Sequence, residues 1–443
     1  MNSTASMING YDESNAANVE ASTREMIAQR NALLGPCYKL FYENPVRFVR
    51  AEGVHLYDEQ GRPYLDVYNN VPVVWHCHPR VVEAIARQAS TLNTHTRYLT
   101  DEVLTYAKAL LDTFPNELGH VMFTCTGSEA NDLAMRIARF HTGGTGFIVS
   151  SYAYHGITQA TAEISPSLGT HQPLGRDIRS VPAPDTYRQG SENVDERFAA
   201  GVEAAIANMQ RHGIRFAGLI VDTGFSSDGL QLNPTGFLKQ AVDVVHAAGG
   251  LFIADEVQPG FARLGESMWG FSRHGVVPDL VTMGKPMGNG LPIAAIVVKP
   301  ELVREFGKSV RYFNTFGGNS VCIAAANAVL DVIRDEDLLT NSRQVGAYLR
   351  ESLAQELEGI DCIGDVRGSG LFVGVEFVKD RASKLPDSGA ALRVVNALRE
   401  KRVLISASGA AANVLKIRPP LPFSKQNVDE FMEVFKEVLP EVR

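Results

Sequence analysis

From about Leu65 to Leu330 the chain alternates short, nearly unbroken apolar runs, closed by turn residues, with stretches of helical spacing. Runs stand at Val121–Cys125, Phe147–Ser150, Gly218–Asp222, Leu251–Asp255, Leu280–Gly284 and Ala294–Val298. Apolar runs this short, bounded by turn signals, read as strands buried on both faces. Between them Val81–Ala89, Glu129–Phe140, Val202–Met209 and Phe237–Ala248 carry apolar residues at helical intervals. The alternation predicts an α/β fold with a mostly parallel central sheet wrapped by helices. After Leu330 the pattern changes. Charged helical stretches (Leu338–Glu358, Ala390–Lys401, Asn427–Val438) flank the strand-like LFVGVEFV and VLKI, which predicts a smaller α+β unit. The preceding RYFNTFGGNS is too glycine-rich for regular structure.

Two of the strand ends carry chemistry. Leu251 to Ala254 runs into Asp255, and Leu280 to Met283 runs into Gly284-Lys285 and a Gly/Pro/Asn-rich turn. Ligands of open α/β sheets gather at the carboxyl ends of strands. Alone, Asp255 reads as a helix cap or loop acid, and Lys285 as a solvated surface lysine. Together, the lysine in an apolar, glycine-flanked site can form a Schiff base with an aldehyde, and the buried acid can keep a ring nitrogen protonated. That pair meets the requirements of pyridoxal phosphate. A nucleotide-binding loop is excluded, because Asp279 stands where that motif needs glycine and Pro286 where it needs Ser or Thr. At Thr126-Gly127-Ser128-Glu129-Ala130 a run ends and a helical stretch opens. This is either a plain capping motif or an anion site, where free N–H groups and the helix dipole face a ligand.

IADEVQPGFARLG followed by PDLVTMGKPMGNGLPIAAIV resembles the signature of the class III (omega-type) aminotransferases, which are fold-type I pyridoxal phosphate enzymes. The resemblance runs from about Tyr38 to Phe431. It implies that Lys285 carries the cofactor, Asp255 pairs with its pyridine nitrogen, Val257 lies on the ring and Gln258 reaches the ring hydroxyl. It also implies that Gly127 to Ala130 hold the phosphate. Tyr154-His155-Gly156 matches an aromatic-His-Gly motif whose aromatic stacks on the opposite ring face. Thr315 resembles a residue that reaches the phosphate of a neighbouring subunit, so a homodimer with shared sites, or a tetramer of such dimers, is expected. The implied domains are a flexible arm (1–20), a segment joining the small domain (21–70), a large cofactor-binding domain (71–330) and a small domain (331–443).

The substrate side departs from the family. Ornithine- and 4-aminobutyrate-type members pair a Glu with an Arg that grips the substrate carboxylate; here those places hold Asp222 and Lys416. Lysine offers a point charge where arginine offers a planar fork. Arg418 either supplies a fork from another direction or is a surface residue. Trp75 replaces a more usual glycine and is expected to narrow the pocket. Lysine at position 416, with LNTHTRYL, YFNTFGGN, EKRVLISASG and NVLKIRPPLPF, resembles the branch of ethanolamine-phosphate phospho-lyase and alanine–glyoxylate aminotransferase 2. The family as a whole implies transfer of an amino group from a primary or omega-amine to a keto acid such as pyruvate or 2-oxoglutarate. The alternative is a lyase that expels ammonia and phosphate from an aminoalkyl phosphate. A racemase or epimerase needs only the proton step, and a non-catalytic binding protein is disfavoured by the presence of Lys285.

Bulk properties add exclusions. A formal net charge of −8 argues against nucleic-acid or anionic-membrane partners. The five cysteines are scattered and suggest a reducing, cytoplasmic setting. His76-Cys77-His78 lacks zinc-ligand spacing, so structural histidines and no metal are expected. No apolar stretch of about 18 residues predicts a membrane span. The acidic first twenty residues, with a possible second start at Met7, lack the apolar core of a signal peptide.

Overall fold

The computed structural model describes residues 7–442. Among these, seven strands form the central sheet: β1 (His120–Thr124), β2 (Gly146–Ser150), β3 (Ile178–Val181), β4 (Phe216–Asp222), β5 (Leu251–Asp255), β6 (Leu280–Met283) and β7 (Ala294–Val298). Their spatial order is β1-β7-β6-β5-β4-β2-β3. Strand β7 is antiparallel to both neighbours, and the remaining pairings are parallel. Every residue of β2, β5, β6 and β7 is buried, which is why these runs show no polar alternation. Each buried Val, Leu or Ile contributes about 1.5–3 kcal/mol against exposure. Strand β3, reading IRSV, was not among the expected runs. It lies at the sheet edge with two of its four residues buried, so it carries no apolar signal.

Register fixes what meets at the strand ends. Asp222 of β4 lies opposite Asp255 of β5, and Asp255 opposite Thr282 of β6. Three polar groups thus sit side by side at the carboxyl edge of an apolar sheet. Close approach of β4 to β5 depends on Gly218, where a Cβ would meet the Leu251 carbonyl oxygen at 2.4 Å.

A second, antiparallel sheet takes the order Ile363–Ser369, Phe372–Phe377, Val414–Ile417, Ser406–Ser408. Helices Leu338–Glu356, Ser388–Glu400 and Lys425–Val438 accompany it, close to the expected spans. The N-terminal strands Phe48–Glu52, His55–Asp58 and Pro63–Asp66 form a third sheet, which Val403–Leu404 joins parallel to Pro63–Asp66. Residues at the two ends of the chain therefore share one sheet. The first six residues of the expected loose arm lie outside the described residues. From Met7 onward it is docked: Gly10 bridges to Phe41, and the Tyr42 N–H donates to the Asn9 carbonyl at 2.7 Å. No described helix is long and apolar enough to cross a membrane.

Candidate active site

Asp255 ends β5 with its carboxylate held from three directions. His155 Nδ1 at 2.7 Å and Asn131 Nδ2 at 2.9 Å share Oδ2, while the Val257 N–H donates to Oδ1 at 3.0 Å. Asn131 is itself aimed, since the Thr282 hydroxyl donates to its oxygen at 2.6 Å and its amide also donates to the His155 carbonyl at 2.8 Å. Asn131 and Thr282 were missed by sequence reasoning. The available signal was that Asn131 stands one helical turn after Ser128, on the face that meets the sheet.

The helix Gly127–Thr142 opens at the end of β1 with a reciprocal capping box. The Thr126 hydroxyl accepts from the Glu129 N–H, and the Glu129 carboxylate accepts from the N–H groups of Cys125 at 2.7 Å and Thr126 at 3.1 Å. These bonds leave the N–H groups of Gly127 and Ser128, residues that line the cavity, unused at the positive end of the helix dipole. The capping bonds therefore leave two amides available for an anion. A Cβ at Gly127 would press on Val257 at 3.0 Å, so that side chain would have to give way. Gly156 has φ +138°, and a Cβ there would meet the Ser128 hydroxyl at 2.5 Å.

One cavity is lined by Gly127, Ser128, Tyr154, His155, Asp222, Asp255, Val257, Gln258 and Lys285, together with Asn131 and Gly156. Burial, reinforced by the charge of Arg418, lowers the Lys285 pKa, with Asp255 and Asp222 opposing. Its ammonium lies 6.0 Å from the Tyr154 ring centre and makes no hydrogen bond among the described residues. His155 Nε2 is likewise buried without a partner. A free anion cradle, an unpartnered amine of lowered pKa and a rigid carboxylate on one cavity fit a phosphorylated, nitrogen-containing aldehyde.

Tyr154 also borders a larger cavity of about 940 Å³, lined in part by Tyr68, Tyr152, Ser406, Ser408 and Lys416. Lys416 sits deep yet keeps an exposed face toward this space. Its pKa is well below the usual lysine range, first through burial, then through Arg418, with Asp222 pulling the other way. No hydrogen bond or ion pair engages its ammonium among the described residues. Burial and the nearby Asp255 raise the Asp222 pKa, although the Gly224 N–H donates to it at 2.8 Å.

The structure gives Arg418, Trp75 and Thr315 definite places. Arg418 is buried, not on the surface; it donates to the Tyr68 carbonyl at 3.1 Å and to the Gln258 side-chain oxygen. Trp75 does not line the cofactor cavity or the larger cavity beside it; its ring stacks on His78 at 4.9 Å. The backbone there has φ +89°, a conformation natural to glycine, and the Asn289 side chain donates to the Trp75 carbonyl at 2.9 Å. Thr315 is exposed in the irregular loop before helix Ser320–Asp335 and lines neither cavity of its own chain. His76 and His78 diverge, one to Asp66 at 2.7 Å and the other to Glu336 at 3.2 Å.

Comparison with known proteins agrees with this geometry. Residues 41–439 match the family model described as aminotransferase class III. A Drosophila melanogaster protein named alanine–glyoxylate aminotransferase 2-like is 41% identical over 96% of this chain and 89% of its own length. An ethanolamine-phosphate phospho-lyase homolog of Caenorhabditis elegans is 37% identical, covering 94% of each chain. Among solved structures, a phospholyase from Arthrobacter in complex with phosphoethanolamine superposes with a TM-score of 0.91 at 44% identity, over 94% of this chain and 99% of that one. With a fold-type I architecture, a cavity suited to the cofactor and a family match over most of its length, this chain belongs to the class III aminotransferases and is a pyridoxal phosphate-dependent enzyme.

Proposed function

We propose that the enzyme is a phospho-lyase acting on a small aminoalkyl phosphate such as O-phosphoethanolamine. Lys416 carries this reading: a deeply placed, unpaired cation faces the cavity beside Tyr154, and none of the described residues lining that cavity is acidic. A desolvated charge without a partner is costly, and a phosphate group on the substrate offsets that cost. The likeness to a phospholyase solved with phosphoethanolamine supports the same choice.

In this reading Lys285 would hold the cofactor, and its amine would be free to act as a base once the substrate amine is bound. The Gly127 and Ser128 amides would hold the cofactor phosphate, and Tyr154, Val257 and Gln258, the last bonded by Arg418, would bind the ring. When bound, pyridoxal phosphate supplies an electron sink for charge left on carbon. The Lys285 amine takes the proton from the carbon next to nitrogen. Asp255, fixed by His155 and Asn131, keeps the ring nitrogen protonated. The carbon–oxygen bond to phosphate breaks with its electron pair leaving on phosphate, which Lys416 receives. Proton uptake and water then convert the unsaturated amine to acetaldehyde and ammonia.

Thr315, exposed in its own chain, is assigned to the phosphate of a neighbouring site in a homodimer.

A second reading is transfer of the amino group to pyruvate or 2-oxoglutarate, favoured by the aminotransferase name of the Drosophila relative. One experiment separates the two. O-phosphoethanolamine without a keto acid should release phosphate and ammonia over many turnovers, leaving the cofactor in its aldehyde form. A single stoichiometric conversion to the amine form, reversed by pyruvate, overturns the lyase.

A further inference from the structure

The larger cavity is lined by a second cation besides Lys416. Lys39, exposed on the segment Pro36–Phe41, lines the same space as Lys416 in a chain whose formal net charge is −8. The wall carrying Lys39 is anchored on both sides. The Tyr11 N–H donates to the Leu40 carbonyl at 2.8 Å, and the Tyr42 hydroxyl donates to the Ile405 carbonyl at 3.0 Å. The Ser406 hydroxyl donates to Asn9 at 2.7 Å, and Ser406 is the strand partner of Lys416. The N-terminal segment and the Lys416 strand are thereby joined into one frame, with an exposed and a more buried lysine lining one cavity of about 940 Å³. A cleft walled by one sign of charge concentrates ions of the other sign.

We propose that Lys39 is a specificity-determining residue that captures the substrate's phosphate at the cavity entrance before Lys416 holds it beside the reacting carbon. This rests on the phospho-lyase reading for its substrate class. Because Lys39 is exposed, its contribution is screened by salt, whereas that of the inner Lys416 is screened far less.

The test compares wild type, Lys39→Ala and Lys39→Glu holoenzymes on O-phosphoethanolamine at about 0.02 M and about 0.5 M salt. At low salt kcat/KM should fall about threefold for Lys39→Ala and about tenfold for Lys39→Glu, with the loss falling on KM. At high salt the differences should shrink to less than about twofold. Unchanged KM in Lys39→Glu, with the wild type releasing phosphate, overturns the role of Lys39 and leaves the lyase reading standing. Calorimetric binding in a Lys285→Ala background removes the dependence on turnover. There Lys39→Glu should weaken O-phosphoethanolamine but not ethanolamine, while equal effects on both probes overturn the proposal. Failure of the lyase reading shows separately, as absence of phosphate release by wild type.

Discussion

His155 Nδ1 lies 2.7 Å from Asp255 Oδ2, both side chains buried, at the end of the fifth strand of the central sheet. With Asn131 on the same oxygen and the Val257 amide on the other, the carboxylate has one orientation. Rigidity of this kind makes a charged group effective against charge that develops during reaction, since no reorganisation is needed.

Asp255→Ala should lower kcat by about 3–4 kcal/mol, on the order of a few hundredfold, while cofactor absorbance is retained. Asn131→Ala leaves the charge and removes one donor, so a loss of about tenfold is expected. An Asp255→Ala enzyme within about fivefold of wild type would show that another group serves the ring nitrogen.

Lys285→Ala should abolish turnover and leave the cofactor bound without a covalent link. Borohydride reduction of the wild type followed by peptide mapping should label Lys285. A label on Lys416, the other deeply placed lysine near this region, would reverse the assignments.

Lys416 should give a pH dependence of substrate binding. Burial and Arg418 hold its pKa well below the ordinary lysine value. The charged form prevails below that lowered pKa and is lost as pH rises through it, so KM for O-phosphoethanolamine should climb on the alkaline side. Lys416→Arg should move the climb to higher pH, because arginine keeps its charge. A profile unaltered by this substitution would remove Lys416 from phosphate recognition.

His274 should make the fold acid-sensitive. It is buried, packed edge-on to Phe237 at 4.7 Å, and burial with the neighbouring Arg273 depresses its pKa to about 3. An unfolded histidine takes up its proton near pH 6.5. Stability from the neutral form is present above that value and is lost as pH falls toward 3, by up to about 1.4 kcal/mol per pH unit. Denaturant unfolding of His274→Phe between pH 4 and 6.5 should show about one fewer linked proton. Equal slopes in the two proteins would argue against it.

Thr315 should act across a dimer interface. Mixing Lys285→Ala with a Thr315→Ala variant chosen for low activity should restore turnover after subunit exchange, because one mixed site is intact. Confirmed exchange without recovery would place Thr315 outside the partner's site.

Much of this was legible in the residues themselves. Uniformly apolar runs ending in Asp255 and Gly284-Lys285 announce buried strands with chemistry at their tips, because burial on both faces removes polar alternation. Strand β3 was hidden for the converse reason, with only two of its four residues buried.

Local pattern and resemblance therefore determined the α/β class and the cofactor, and singled out residues that prove to line one cavity. Tertiary structure alone decided the rest, since periodicity carries no information about register or about which distant segments meet. The alignment of Asp222, Asp255 and Thr282 comes from how three parallel strands are staggered. Arg418 is internal because Val67 pairs with its backbone N–H at 2.7 Å, drawing the C-terminal strand region onto the N-terminal one. Lys39 and Lys416 share a cavity only because segments nearly a whole chain apart dock together, and the energy of that docking lies in contacts no local window contains.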